Sequence, residues 1–257
     1  MDIQVLGVGE AADPSFANSS LIVAADGFRL MIDCGHSVPS ALWREVPDPD
    51  AIDALYFTHH HPDHCFGLVP TLIRWTDDRR SKPLDIVTTV GGWKQLALLF
   101  QAGATDPERS LSFPLRWIET PENGTLGPFR LHTALTQHSM PNRAIRLETG
   151  GVAFAYSGDG RATPESEALF RGADLLFHEC LTVEPDPVQP FHAAYSQLAD
   201  FPMRLGVGEM RLYHVRTGER ERLAAACAAD PRVRLARPGE RIVLPSVPPA
   251  TGAMILS

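Results

Sequence analysis

The alternation of apolar and polar positions divides the chain into short elements. Residues 3–7 read as a strand ending at the turn Gly7-Val8-Gly9. Residues 20–24 and 28–32 are apolar runs around Asp26-Gly27, a dipeptide that favours a tight hairpin. Residues 52–58 form an apolar strand that runs straight into a histidine cluster, and residues 84–88, 111–118 and 129–135 look extended. Residues 144–148 and 152–156 flank Thr149-Gly150-Gly151, a second hairpin signal, and residues 174–178 and 210–214 are later strands. Helical periodicity covers residues 38–44, 67–76, 92–101, 196–201 and 219–229. Residues 184–190 are Pro-rich and read as a surface loop. The Pro/Ala-rich tail 245–257 is expected to be partly mobile.

Strand hairpins followed by helices occupy the first half, and the second half repeats that mixture without a fixed-period repeat. The 257 residues suit one large domain spanning 1–257. The formal net charge is -8, and no basic stripe of the kind a generic nucleic-acid binder shows is visible. Cys34, Cys65, Cys180 and Cys227 form no C-x-x-C pair. The opening MDIQVLGVGE has no basic leader or apolar run, and no stretch reaches the length of a membrane helix. The expectation is a cytoplasmic protein with free thiols and no membrane association. Cys65 and the four tryptophans, Trp43, Trp75, Trp93 and Trp117, are expected in the core or at interfaces.

The chemistry concentrates in Thr58-His59-His60-His61-Pro62-Asp63-His64. Imidazole and carboxylate together suit zinc, iron or manganese. Four ligand-type side chains this close cannot all face one ion, but they can face two neighbouring ions if the chain turns sharply. His59 and His61, two apart, share a side of an extended segment, while His60 and Pro62 point away. Asp63 and His64 can then reach the second ion. Further ligands belong at other strand ends, where His138, Asp159 and His214 lie. Any one of these three alone could equally be a core or capping residue; their recurrence at strand ends makes them candidates together.

This pattern resembles the metallo-β-lactamase superfamily, whose H-x-H-x-D-H motif is matched by His59, His61, Asp63 and His64 and whose later motifs are matched by His138, Asp159 and His214. The resemblance spans nearly the whole chain. It implies an α/β fold of four layers, the αββα sandwich. It also implies that His59, His61 and His138 bind one ion, that Asp63, His64 and His214 bind the other, and that Asp159 bridges them. Within the superfamily the chain is similar to the tRNase Z and phosphodiesterase branch. Leu6-Gly7-Val8-Gly9, Asn18-Ser19-Ser20, Asp33-Cys34-Gly35 and His178-Glu179 carry that likeness, and His192 falls where the branch has a further histidine. The branch implies that Glu179 and His192 pair near the leaving group.

Departures narrow the reading. Ala17, His36 and Pro62 replace residues common in the nuclease branch. Only twenty positions separate His138 from Asp159, so the Gly/Pro-rich arm that grips tRNA is absent. A tRNA substrate is therefore not expected; a small-molecule or short phosphodiester is. The expected cofactors are two divalent ions, zinc first, with manganese or iron as alternatives. The expected activity is metal-dependent hydrolysis of a phosphodiester by a metal-bridging hydroxide, with Asp63 orienting the water and His192, polarised by Glu179, protonating the leaving alkoxide. The resemblance also favours a homodimer. Competing readings on the same metal site are a thioester or lactone hydrolase, a tRNA 3′-processing endonuclease, and a metal-retaining binding or signalling module without turnover. A di-iron redox protein would require a flavin domain for which the chain has no room.

Overall fold

β-Branched and large apolar residues cluster in the strands because both faces of each sheet are covered. The computed structural model describes residues 1–103 and 111–246. β1 (Asp2–Gly7), β2 (Ser20–Ala25) and β3 (Phe28–Ile32) form an antiparallel meander, which β4 (Ala54–Tyr56), β5 (Leu84–Thr88) and β6 (Leu115–Glu119) continue in parallel. Between them lie α1 (Val38–Glu45), α2 (Pro62–Cys65), α3 (Leu68–Asp77) and α4 (Gly92–Gly103). The plan then recurs. β7 (Asn123–Leu126), β8 (Phe129–Leu135), β9 (Arg143–Thr149) and β10 (Val152–Tyr156) pair antiparallel, and β11 (Leu175–Glu179), β12 (Glu209–Tyr213) and β13 (Val233–Leu235) add in parallel. The accompanying helices are α5 (Pro164–Phe170), α6 (Tyr195–Leu198), α7 (Phe201–Arg204) and α8 (Arg220–Cys227). β14 (Arg241–Val243) returns to the edge of the first sheet beside β1.

Two seven-stranded sheets result, in the orders β14-β1-β2-β3-β4-β5-β6 and β13-β12-β11-β10-β9-β8-β7. Their facing surfaces share one core in which Val5, Leu30 and Tyr56 of the first sheet meet Phe129, Leu147, Phe154 and Phe177 of the second. The outer face of the first sheet packs on helices through Met31, Leu55, Leu72 and Trp75, and that of the second through Leu176, Leu212, Phe170 and Leu223. Helices thus cover both outer faces, giving the αββα layering that the resemblance implied. In parallel strands all the carboxyl ends share one edge, so the loops after β4, β10, β11 and β12 can converge there.

Several sequence expectations change at their edges. The strand expected over 52–58 is β4 alone, because Thr58 leaves the ladder and donates its N–H to the Asp33 carboxylate at 2.8 Å. The single helix expected over 196–201 is two short ones, α6 and α7. Pro202 sits in the first turn of α7, and a continuous helix would place it in the interior, where it lacks an N–H. α5 went unread although Thr163 forms a capping box with Ser166 and Pro164 begins the first turn. β7, β13 and β14 are too short and too exposed to show a period. Trp75 is buried, but Trp93 is exposed with Lys94 over its ring, so it is not a core residue. All four cysteines are free and buried. The tail expected to be mobile lies mostly outside the described residues.

Arg80 holds the approach to β4. Its side chain is fully buried and donates from Nη1 to Pro49 O (2.5 Å) and from Nη2 to Ile52 O (2.7 Å) and Pro83 O (3.0 Å). The guanidinium lies over the rings of Trp75 and Phe113, 4.9 and 5.0 Å from their centroids. Replacing it by methionine keeps volume but strips three carbonyls of their donor, the one at Ile52 fully buried. Arg80→Met should cost roughly 3 kcal/mol, a fall in Tm of about 6–12 °C for a chain of this size. Thermal unfolding followed by circular dichroism checks this, and an unchanged Tm would show the bonds contribute nothing net.

Candidate metal centre

The six residues after β4 cannot continue as a strand. Asp33, at the end of β3, takes the Thr58 N–H and hydroxyl, and Cys34 N–H donates to His64 O at 2.7 Å. His59, His60 and His61 stay extended, and Pro62 opens the single-turn helix α2, which turns Asp63 and His64 inward. The unexpected α2 is the sharp turn that the ligand spacing required. On the second sheet, Asp159 follows β10 through Ser157-Gly158. Gly158 adopts φ +60°, and a Cβ there would lie 2.3 Å from Asn142 Oδ1, so only glycine fits. Asn142 donates to Thr136 Oγ1 and Ser157 O and accepts the Asp159 N–H at 3.1 Å, fixing the turn. His214 ends β12 in the left-handed region at φ +59°, a strained backbone of the kind that persists where the surroundings hold it.

All seven candidate ligands meet at this edge. Among the described residues three groups lie close enough to share an ion: His59, His61 and His138; Asp63, His64, Asp159 and His214; and Glu179, His192 and His214, the last sharing His214 with the second. In the first, His59 Nε2 and His138 Nε2 both stand 3.1 Å from His61 Nδ1. One ring nitrogen has either a proton or a lone pair, so it cannot serve both contacts; a cation at their meeting point serves all three. In the second, His64 Nε2 is 3.3 Å from both Asp63 Oδ2 and Asp159 Oδ2, and His214 Nε2 is 3.2 Å from both. His64 Nε2 and Asp159 Oδ1 are buried without a hydrogen-bond partner, as expected of atoms aimed at a common centre rather than at each other. Asp159 Oδ2 is also 4.0 Å from His59 Nε2, between the two groups. The donor set therefore fits two divalent cations.

The side chains' mutual electrostatics agree. Burial opposes charge on His64, but Asp159, Asp63 and Asp33 outweigh it and hold the imidazole well above its ordinary range. His214 is pushed up to about 9 by Asp159 and Asp63 against burial. Burial likewise raises the carboxyls of Asp63 and Asp159, but His64 and His214 win and hold both well below the usual range. Burial lowers His59, His61 and His138, the last to about 4.

Glu179 and His192 also join the centre. Glu179 ends β11, fully buried, and its Oε1 accepts N–H bonds from Gly160 and Ala193, both 2.9 Å. His192 Nδ1 lies 3.3 Å from the same oxygen. The His192 ring stacks on His214 at 5.2 Å between centroids and meets His138 edge-on at 5.2 Å. Burial lowers His192, but Glu179 more than offsets it and raises the imidazole.

Two residues outside the expected ligand set build the site, Asp33, which the sequence offers only within the Asp33-Cys34-Gly35 likeness, and Asn142. Asp33 accepts from Thr58 and lies 2.8 Å from His64 Nδ1, turning that ring's Nε2 inward. Its backbone φ of +58° is unusual, but nothing in the residue type reveals this. Asn142 carries no signal in the sequence, because its partners Thr136, Ser157 and Asp159 come together only in the fold. Cys65, beside His64, is buried with its thiol pushed up to about 12 by burial, which leaves it inert.

The family model described as "Anti-Pycsar protein Apyc1" matches residues 1–239. The chain is similar to an Anti-Pycsar protein Apyc1 of Paenibacillus harenae, 30% identical over 210 residues and covering 79% of this chain and 85% of that one. It is also similar to Ribonuclease Z of Haloarcula marismortui, 26% identical over 271 residues, covering 84% and 86%. Among solved structures, the metallo-β-lactamase fold protein YhfI of Bacillus subtilis superposes with a TM-score of 0.80 at 22% identity, covering 94% and 98%. The fold and the branch likeness expected from the sequence are therefore found, and the coarse activity class is that of a hydrolase.

A cation that takes the Nε2 lone pairs of His64 and His214 must displace their protons. Metal uptake at pH 7.5 should therefore release protons, and apparent affinity should rise with pH through about 9, where His214 is half neutral. Titration calorimetry with zinc in two buffers of different ionisation heat measures the release; identical heats in both would refute it.

Proposed function

The chain belongs to the Anti-Pycsar protein Apyc1 family, and on that membership together with the geometry of its centre we propose that it is a two-metal phosphodiesterase acting on a small or short phosphodiester. The observation that carries this reading is Asp159 Oδ2 set between a three-imidazole group and a group of Asp63, His64 and His214. His59, His61 and His138 would hold one cation and Asp63, His64 and His214 the other, with Asp159 shared. When bound, two divalent cations acidify a water into the neutral range, hold phosphoryl oxygens and offset the charge of the transition state. Zinc is the metal we propose, on its affinity for imidazole with carboxylate.

Asp63 turns Oδ2 to His64 and His214, leaving Oδ1 to take a proton from the attacking water. His192 turns Nδ1 towards Glu179 Oε1, 3.3 Å away, so its Nε2 is the nitrogen that would donate to the departing oxygen. Glu179 is itself fixed by the Gly160 and Ala193 N–H groups, which ties the acid to the turn carrying Asp159. An acid at this position serves an alkoxide leaving group and is wasted on a thiolate, which favours a phosphodiester over a thioester. β9 and β10 fill the interval where an arm would stand, which supports a small substrate over tRNA. The biological setting we propose is the one in the relatives' name, an anti-Pycsar role, with a homodimer as the working assembly and a place in the cytoplasm. Among the described residues no helix is long and apolar enough to cross a membrane.

His61→Ala should lower bound metal and abolish hydrolysis of bis-p-nitrophenyl phosphate, read by metal analysis and a colorimetric assay; full activity with the mutant would end the two-metal reading. His192→Ala should keep its metals, slow alkyl phosphodiesters by about 100-fold or more, and spare p-nitrophenyl esters. Equal slowing of good and poor leaving groups would exclude the acid role.

A further inference from the structure

His60 is the one histidine of the run that faces away from the two ligand groups. Its ring is nonetheless placed with care. Nδ1 is 2.7 Å from Gln95 Oε1 on α4, and Nε2 is 2.6 Å from Thr88 Oγ1 at the end of β5. Its backbone N–H donates to Met140 Sδ at 3.3 Å, in the loop that carries His138. The partners are 28, 35 and 80 positions away in the chain, so the bonds are tertiary, not local. A neutral imidazole has one donor and one acceptor, and an amide with a hydroxyl supplies the matching pair in either tautomer. Gly92 completes the seat: a Cβ there would lie 2.2 Å from His60 Cε1 and 2.6 Å from Thr88 Oγ1. The first turn of α4 is thus hollowed to receive this ring.

His59 and His61 are the peptide neighbours of His60, and in an extended segment they project to the opposite side. Fixing the His60 ring fixes the direction in which both neighbours point. Its N–H bond to Met140 adds the third member, because His138 is two residues away. His64, by contrast, is braced from a different element by Asp33.

We propose that His60 is a positioning residue that locks the three-imidazole half of the centre, His59, His61 and His138, to the β5–α4 junction. The inference rests on the reading of this run as a metal centre. Outer partners of metal ligands commonly change affinity by about 10–100-fold, and here the effect should fall on one ion of two.

The experiment titrates the metal-free full chain with zinc by calorimetry and with cobalt(II) by visible absorption. His60→Ala should weaken one of the two binding events by about tenfold or more, alter the spectrum of that ion, and leave the other event within twofold. Gly92→Ala, which drives a methyl into the seat, should weaken the same event. In the double variant the methyl has room and Thr88 is free to rotate, so the double should bind no worse than His60→Ala alone. His60→Gln, which keeps a hydrogen-bonding side chain, should recover part of the loss. Unchanged binding of both ions in His60→Ala, equal weakening of both, or multiplying losses in the double variant would each overturn the latch. A wild-type chain that takes up no divalent ion would overturn both the metal-centre reading and the latch; two ions bound equally well by wild type and His60→Ala would overturn the latch alone.

Discussion

Two carboxylates and three imidazoles buried against one another set the terms for the whole molecule. Asp63 and Asp159 are nearly inaccessible, and His59, His64 and His214 are buried with them. Charged groups so enclosed are costly unless each finds a partner or a metal. Their own pairings are incomplete, since ring nitrogens and carboxylate oxygens aim at shared points rather than at each other. Divalent cations at those points would resolve the conflict in charge and in geometry. The αββα architecture makes this possible: two parallel sheet halves deliver their strand ends to one edge, where rigid backbone can hold ligands from four loops in place.

Ligands at such a centre need bracing, because loops alone leave ångström-scale freedom. Each group has its own brace, drawn from a distant part of the chain. Asp33 holds His64 and Thr58 together from the end of β3. Asn142 joins the His138 loop to the turn of Asp159. Glu179 gathers the Gly160 and Ala193 N–H groups and sets His192 beside His214. His60 ties the first ligands to β5 and α4. Asp33 braces His64 directly and reaches His59 through the Thr58 hydroxyl, 3.0 Å from His59 Nδ1, while His60 adds a second support to the three-imidazole half. Arg80 extends the same logic outward, securing the chain that leads into β4.

The same frame bears on substrate. Between His138 and Asp159 the chain makes only a tight loop and the β9–β10 hairpin, so this interval carries no extension that could grip a large ligand. His61, His138 and His192 are the half-buried members of the centre, which marks the side from which a substrate reaches it. The formal net charge of -8 leaves the local positive charge to the cations themselves. A compact phosphodiester suits that arrangement better than a long polyanion held along a basic groove.

The candidate ligands were legible in the chain because coordination chemistry resides in residue type and short spacing. His59, His61, Asp63 and His64 point to a metal site, and His138, Asp159 and His214, which the fold brings beside them, follow strands whose apolar runs are plain to read. The hairpins at Asp26-Gly27 and Gly150-Gly151 were equally visible, since turn chemistry is local. Short elements escaped: α2 and β13 are too brief for any period, and α6 and α7 are divided by a proline whose effect depends on where the helix begins. Most of the braces could not be read. Asp33 shows only as part of a family-like segment, and Asn142, Thr88, Gln95 and Gly92 are ordinary residues in ordinary contexts, whose roles follow from contacts across 17 to 35 positions. Residue chemistry can name the atoms that would bind a metal, but packing alone sets which distant side chains hold them still, because such contacts exist only once both sheets have closed on each other.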